Sequence, residues 1–224
     1  GVSDIEEPYA NWRAFKEKLT GIKWDYDFRR LFYTWSPDIV KEPFCDWIEI
    51  ASCDKTCGMI FPGDLWVAPD GAAHIIWTER AIDTRLRKQF FPDAVQSHAL
   101  KYAVIRDGKI VTRSTLMLSE EGKSKEVPSQ YPRLQVTPDN RVFVFYHVSG
   151  ADTAGKPVSE NRVMELYRDG SNSPAVRVPL QHPLYMYFTA TVRGGSSPSK
   201  HIDLLGMRSD DKESINYARI RLCE

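Results

Sequence analysis

The sequence predicts an all-β chain built from four-stranded units, and two internal repeats carry that reading. The stretch Leu65 to Arg80, LWVAPDGAAHIIWTER, returns in degenerate form as Leu134 to Ser149, LQVTPDNRVFVFYHVS. In each, a short apolar run meets a Pro-Asp turn, Pro69-Asp70-Gly71 or Pro138-Asp139-Asn140, and a second apolar run carries an aromatic, Trp77 or Tyr146. That is the pattern of strand, tight turn, strand. Downstream, Tyr102 to Gly108 and Met164 to Gly170 each end in Arg-Asp-Gly and lead into a further strand-like run, Lys109 to Leu118 or Ala175 to Leu180. Two hairpins per unit match one blade of a β-propeller in length and strand count. An immunoglobulin-like sandwich also strings short strands together, but gives no reason for a four-strand unit to recur with the same turns.

In chain order, residues 1–24 form an N-terminal helical segment. Tyr9, Trp12, Phe15 and Leu19 fall three and four apart between Ile5 and Leu19, Lys16 and Lys18 come late, and Gly21 stops the run. This short helix is expected to cover a sheet edge. Residues 25–224 make the propeller. Phe28 to Ser36 and Asp46 to Ser52 read as the third and fourth strands of an opening blade. The first full blade has strands near 65–69, 73–79, 99–107 and 109–118, with a long insertion from Arg80 to Ser97. The second has strands near 132–137, 141–148, 161–168 and 174–180, with an insertion from Ser149 to Asn161. A third starts at Tyr187 to Val192, crosses a Gly-Gly-Ser-Ser-Pro loop and continues with Ile202 to Met207 and Ile215 to Leu222. The expectation is about four blades, two of them partial: a compact ring with an irregular first blade, or the C-terminal part of a larger propeller. Unpaired strands in the partial blades make self-association an expected property.

Ser36, Asp38 and Trp47 lie on the turn between the two opening strands. They resemble a stretched Asp-box, Ser-x-Asp-x-Gly-x-x-Trp, the motif between the third and fourth strands of blades in sialidase-like (BNR-repeat) β-propellers, with the Gly missing and extra residues before the Trp. The resemblance implies a carbohydrate-active propeller.

Thirty basic residues balance thirty acidic ones, which leaves no bulk charge to attract nucleic acid or a membrane surface. No apolar run approaches the roughly 18 residues of a transmembrane helix, and the start of the chain has no basic and apolar leader. The glycan reading nonetheless makes an extracytoplasmic or secreted protein the expectation. Cys45, Cys53, Cys57 and Cys223 are too few for a disulfide scaffold, and Cys53 and Cys57 have no second Cys or His pair of zinc-ligand spacing. No metal or cofactor is expected.

In a propeller the loops from second to third strands, and from each fourth strand to the next first, share one face. Their flanks hold Glu79, Arg80, Asp83, Arg85, Arg87 and His98, then His147, Glu160 and Arg162; the connections between blades add Asp64, Tyr131 and Arg133, and the last blade adds Arg193. Arginines with aromatics suit an acidic oligo- or polysaccharide, because guanidinium grips carboxylate or sulfate bidentately and aromatic faces stack on sugar rings. Arg80, Arg133, Arg162, Arg193 and His147 are the expected substrate-binding residues; Glu79, His98, Tyr131, Tyr146 and Glu160 are the catalytic candidates. A sialidase-like hydrolase would hold the substrate carboxylate with three arginines and attack with Tyr131 or Tyr146, activated by Glu79 or Glu160. A polysaccharide lyase would take an α-proton with His98 or Tyr146 while Arg133 neutralises a uronate. A non-catalytic glycan- or protein-binding propeller needs only the rim. Each residue also has a structural reading: His74 as a satisfied interior side chain, Glu79-Arg80 and Glu160-Asn161-Arg162 as ion pairs locking loops, and Arg85 to Lys88 as a solvated helix turn. Convergence of three arginines on one pocket favours an enzyme, and scatter favours a binding or structural module.

Overall fold

The structure, a computed structural model, describes residues 9–23, 27–190, 195–211 and 213–222, and residues 2–3 by backbone alone. It is mostly β, with four antiparallel sheets and two α-helices among the described residues and no sheet closed into a barrel. The first sheet holds β1 (Val2–Ser3), β2 (Phe28–Tyr33) and β3 (Ile48–Ser52) in that order. The second is a meander of β4 (Met59–Val67), β5 (Ala73–Arg80), β6 (Ser97–Arg106) and β7 (Lys109–Glu120). In the third, β8 (Val127–Pro128) and β9 (Arg133–Val136) pair with successive stretches of β10 (Val142–Ala151), which continues to β11 (Pro157–Leu166) and β12 (Val176–Arg177). The fourth holds β13 (Leu184–Thr189), β14 (His201–Arg208) and β15 (Asn216–Arg221).

The repeat is real in three dimensions. Leu65 pairs with Ile75 and Val67 with Ala73; at the matching positions Leu134 pairs with Val144 and Val136 with Val142. Both hairpins turn through a three-residue loop closed by Ala68 N–H to Ala72 O (2.8 Å) or Thr137 N–H to Arg141 O (3.0 Å). The last loop residue is left-handed, Gly71 at φ 82° and Asn140 at φ 60°, which Gly adopts freely and Asn tolerates. Trp77 and Tyr146, each 1% exposed, sit in the second strands of neighbouring sheets and point at the preceding sheet.

Alternation along these strands builds one apolar layer between each consecutive pair of sheets. Trp77, Ile75 and Ala103 meet Leu31 and Ile50 of the first sheet. On the other face of the second sheet, Ile76, Leu100 and Tyr102 meet Leu134, Val144, Tyr146 and Met164 of the third. Phe143 and Phe145, on the far side of β10, meet Leu184, Tyr187, Ile202 and Leu204 of the fourth. The four sheets therefore stack face to face in sequence order.

Several expectations need correction. The Ser149–Asn161 stretch is not a loop: β10 and β11 run through it to a tight turn closed by Asp152 N–H to Lys156 O, because cross-strand pairing satisfies the backbone there despite the polar composition. The two Arg-Asp-Gly turns differ. Asp107 and Gly108, both at positive φ, form a two-residue hairpin, whereas Arg168-Asp169-Gly170 is a three-residue loop closed by Tyr167 N–H to Ser171 O. The fourth strand of the third sheet shrinks to Val176–Arg177. The first sheet has a third strand, since β1 pairs with β2.

The helix α1 (Ala10–Thr20) ends at Gly21 as expected, with its N–H on Glu17 O at φ 72°. The expected start at Ile5 lies outside the described residues. α1 reaches the first sheet, where Trp12 lies under the Arg29 guanidinium of β2 at 4.9 Å. It packs on the second helix, α2 (Thr84–Phe90), through edge-on contacts of Trp12 with Phe91 and Phe15 with Phe90, while Leu19 is exposed. α2 is capped by Asp83, whose carboxylate accepts from Arg85 N–H. It is not a solvated turn throughout, since Leu86 is fully buried against Cys57 and Ile82.

Candidate functional site

At the ends of β5 and β6 the second sheet borders a pocket of about 340 Å³. Its walls are Glu79 and Arg80 from β5, His98 from β6, Tyr131 from the β8–β9 link and Tyr185 from β13, with Phe61 of β4 beneath. Four of the sequence-derived candidates, Glu79, Arg80, His98 and Tyr131, are thus brought together. Arg80 and His98 are direct cross-strand partners.

The pocket is positioned by a bulge. β4 shifts register between Pro62 and Asp64, leaving Gly63 outside the ladder, where a Cβ would lie 2.5 Å from Pro132 Cγ and 2.9 Å from Ile76 O. Only glycine admits the β8–β9 link this closely. Arg133 Nη1 donates to Gly63 O (2.5 Å), and the buried Asp64 carboxylate accepts from Leu134 N–H (3.1 Å) and Leu65 N–H (2.9 Å). These bonds fasten β9 to β4 and so hold Tyr131 over the pocket. Arg133, expected to grip ligand, is spent on this fastening.

Arg80 is the cation the pocket retains. Its side chain is 29% exposed, its Nη2 lies 4.0 Å from Asp27 Oδ1 and 3.7 Å from Met59 Sδ, and its buried Nε has no hydrogen-bond partner among the described residues. Burial and the Arg80 charge both hold the His98 imidazole below its usual range, so His98 is neutral near pH 7. Glu79 accepts from the Trp77 indole N–H at 2.7 Å.

The other candidates lie elsewhere. Arg162 is held between Glu126 (2.8 Å) and Glu160 (2.6 Å), and Arg177 also reaches Glu160 (3.4 Å). This is the loop-locking ion pair considered from sequence, with Glu126 as a third member. Tyr146 is buried beside it, paired with Arg162 across the strands, and burial pushes its hydroxyl up to about 12. His147 faces the opposite side of β10; its Nε2 meets Ser159 Oγ at 3.1 Å and burial lowers it to about 4. Arg193 lies outside the described residues. Arg85 and Arg87 are engaged by Asp83 and Glu121. The expected convergence of Arg80, His98, Arg133, Arg162 and Arg193 on one pocket is therefore reduced, among the described residues, to Arg80 and His98.

Sequence reading missed Tyr185 and Phe61. The alternation in Leu184-Tyr185-Met186-Tyr187, had the strand been started there rather than at Tyr187, would have placed Tyr185 at a strand start. Among the described residues no group of His, Cys, Asp or Glu is arranged to hold a metal. Compared with protein-family models, curated proteins and solved structures, the chain matches none.

Proposed function

We propose that these four sheets are blades of a β-propeller that binds an acidic carbohydrate in the Arg80 pocket. Face-to-face stacking of consecutive antiparallel sheets in sequence order supports the blade reading. The observation that carries the binding reading is Arg80: a half-buried guanidinium 4.0 Å from Asp27, a carboxylate shared with Lys16, Arg29 and Arg85, and flanked by Tyr131 and Tyr185. The guanidinium supplies bidentate recognition of carboxylate or sulfate, and the tyrosines offer faces for sugar rings. Scatter of the other arginines favours a binding module over a sialidase-type hydrolase, which needs several guanidinium groups on one carboxylate. The test is binding of uronate- and sialate-containing oligosaccharides by calorimetry, with Arg80→Ala weakening it about tenfold and neutral oligosaccharides unaffected. Equal affinity of wild type and variant for the acidic set removes the proposal.

One observation favours a second reading. His98 is neutral and opposite Arg80, the pairing a β-eliminating lyase uses: Arg80 neutralises the uronate carboxylate, His98 accepts the α-proton, and the freed electron pair forms the ring double bond as the C4–O glycosidic bond breaks, the departing oxygen taking a proton from water. Appearance of an unsaturated uronate product in wild type but not in His98→Ala separates this from simple binding.

A further inference from the structure

At the other end of β5, seven residue steps and about 23 Å from Arg80, the second and third sheets part to leave a cleft of about 850 Å³. One wall is aromatic and uncharged. The Trp66 indole packs against the His74 imidazole, the rings tilted by 40° with centroids 4.7 Å apart, and His74 Nδ1 hydrogen-bonds Tyr102 Oη at 2.6 Å. Burial lowers His74 to about 4 and raises Tyr102, so the pair stays neutral around pH 7. Val142 and Leu166 of the third sheet form the opposite wall.

The mouth carries two arginines from hairpin turns of neighbouring sheets. Arg106 is neutralised by Asp70 at 2.7 Å. Arg168 occupies the corresponding place in the repeated Arg-Asp-Gly motif, but the longer turn lifts it out of the ladder into the loop, and Asp139, the counterpart of Asp70, makes no bond to it. Arg168 has no hydrogen-bond or ion-pair partner among the described residues, so the second copy of the repeat has lost the ion pair and left one guanidinium at the edge of an aromatic cleft.

We infer that this cleft binds a small amphipathic monoanion, a carboxylate carried on a flat aromatic or apolar body. The body enters between Trp66 and Leu166, where a charge would be desolvated without a partner, and the carboxylate stays at the mouth on Arg168. A dianion or a cation fits less well: the only other charged groups at the rim, Arg106 and Asp70, neutralise each other.

The experiment is isothermal titration of the full chain with 2-naphthoate and with its neutral analogue 2-naphthalenemethanol. Expected is binding of both, with Arg168→Ala weakening naphthoate about tenfold while leaving the alcohol unchanged. Val111 lines the cleft and is 56% exposed, so Val111→Trp fills it without disturbing a core; it should abolish binding of both probes. The same titrations are run on Arg80→Ala, in which carboxylate held by the Arg80 pocket no longer counts as binding, and the outcomes are read in that background. Absence of binding by wild type, or binding that survives Val111→Trp, overturns the inference, and an equal loss of both probes in Arg168→Ala overturns the assignment of the anion to that residue. Failure of the Arg80 pocket to bind glycan has no bearing on these outcomes.

Discussion

Lys16 Nζ lies 3.0 Å from Asp27 Oδ2, and the lysine side chain is fully buried. Lys16 is the one fully buried side chain among the described residues of α1, and it ties the helix to the segment leading into β2. Asp27 is also 3.6 Å from Arg85 and 4.0 Å from both Arg29 and Arg80, so one carboxylate serves cations from α1, β2, β5 and α2. Asp27→Ala leaves the fully buried Lys16 ammonium without its carboxylate, while Asp83 still holds Arg85, and is expected to cost about 3–5 kcal/mol. Lys16→Met should cost less than half of that, because Arg85 still compensates Asp27. Urea denaturation measures both, and an Asp27→Ala variant as stable as wild type would contradict this account.

Acid should weaken the fold before the carboxylates titrate. His74 and His147 are held at about 4 by burial, below the usual 6.5, and the Nδ1 of His147 has no partner among the described residues. Between pH 6.5 and about 4 the unfolded chain binds more protons than the folded one, so stability is full above 6.5 and falls as pH drops through that window. For His147, which is 3% exposed, the difference corresponds to about 3 kcal/mol. Thermal melts at steps between pH 7 and pH 4.5 should show this loss, and His147→Gln should reduce it by about half. A flat profile would show that neither imidazole resists protonation.

Gly150 and Gly122 separate steric contact from backbone strain. A Cβ on Gly150 would lie 1.9 Å from Lys125 O, with φ at 129°, whereas Gly122 at φ 81° has open space around it. Gly150→Ala must push β10 away from the β8 approach and should cost about 3 kcal/mol. Gly122→Ala should cost about 1 kcal/mol, from the left-handed backbone alone. Similar melting temperatures for the two variants would contradict the close approach.

Arg80 and Arg133 are expected to behave oppositely. Arg133→Ala removes the bond to Gly63 O that fastens β9 to β4, so it should lower stability by about 1–2 kcal/mol and weaken anion binding less than Arg80→Ala does, because Asp64 still holds Leu134 N–H. Arg80→Ala should lower binding with little effect on melting. A reversal of this pattern would place the anion at Arg133.

What the sequence determined by itself was the hairpin repeat. Turn residues and alternation act over a few neighbours, so Pro69-Asp70-Gly71 and Pro138-Asp139-Asn140 produce the same loop and register wherever they occur. The inward positions of Trp77 and Tyr146 follow from the same two-residue period. Tertiary structure decided everything that depends on partners distant in the chain. Arg80, Arg133 and Arg162 look alike in sequence, yet Gly63 engages the second and Glu126 the third, and only Arg80 is left to a pocket. Lys16 reads as a solvated helix end until Asp27 buries it. The β10–β11 ribbon reads as a polar loop until its backbone groups find each other across the sheet. In each case the local code specifies a conformation, while the free energy of a charged or polar group depends on what folding brings within about 4 Å of it.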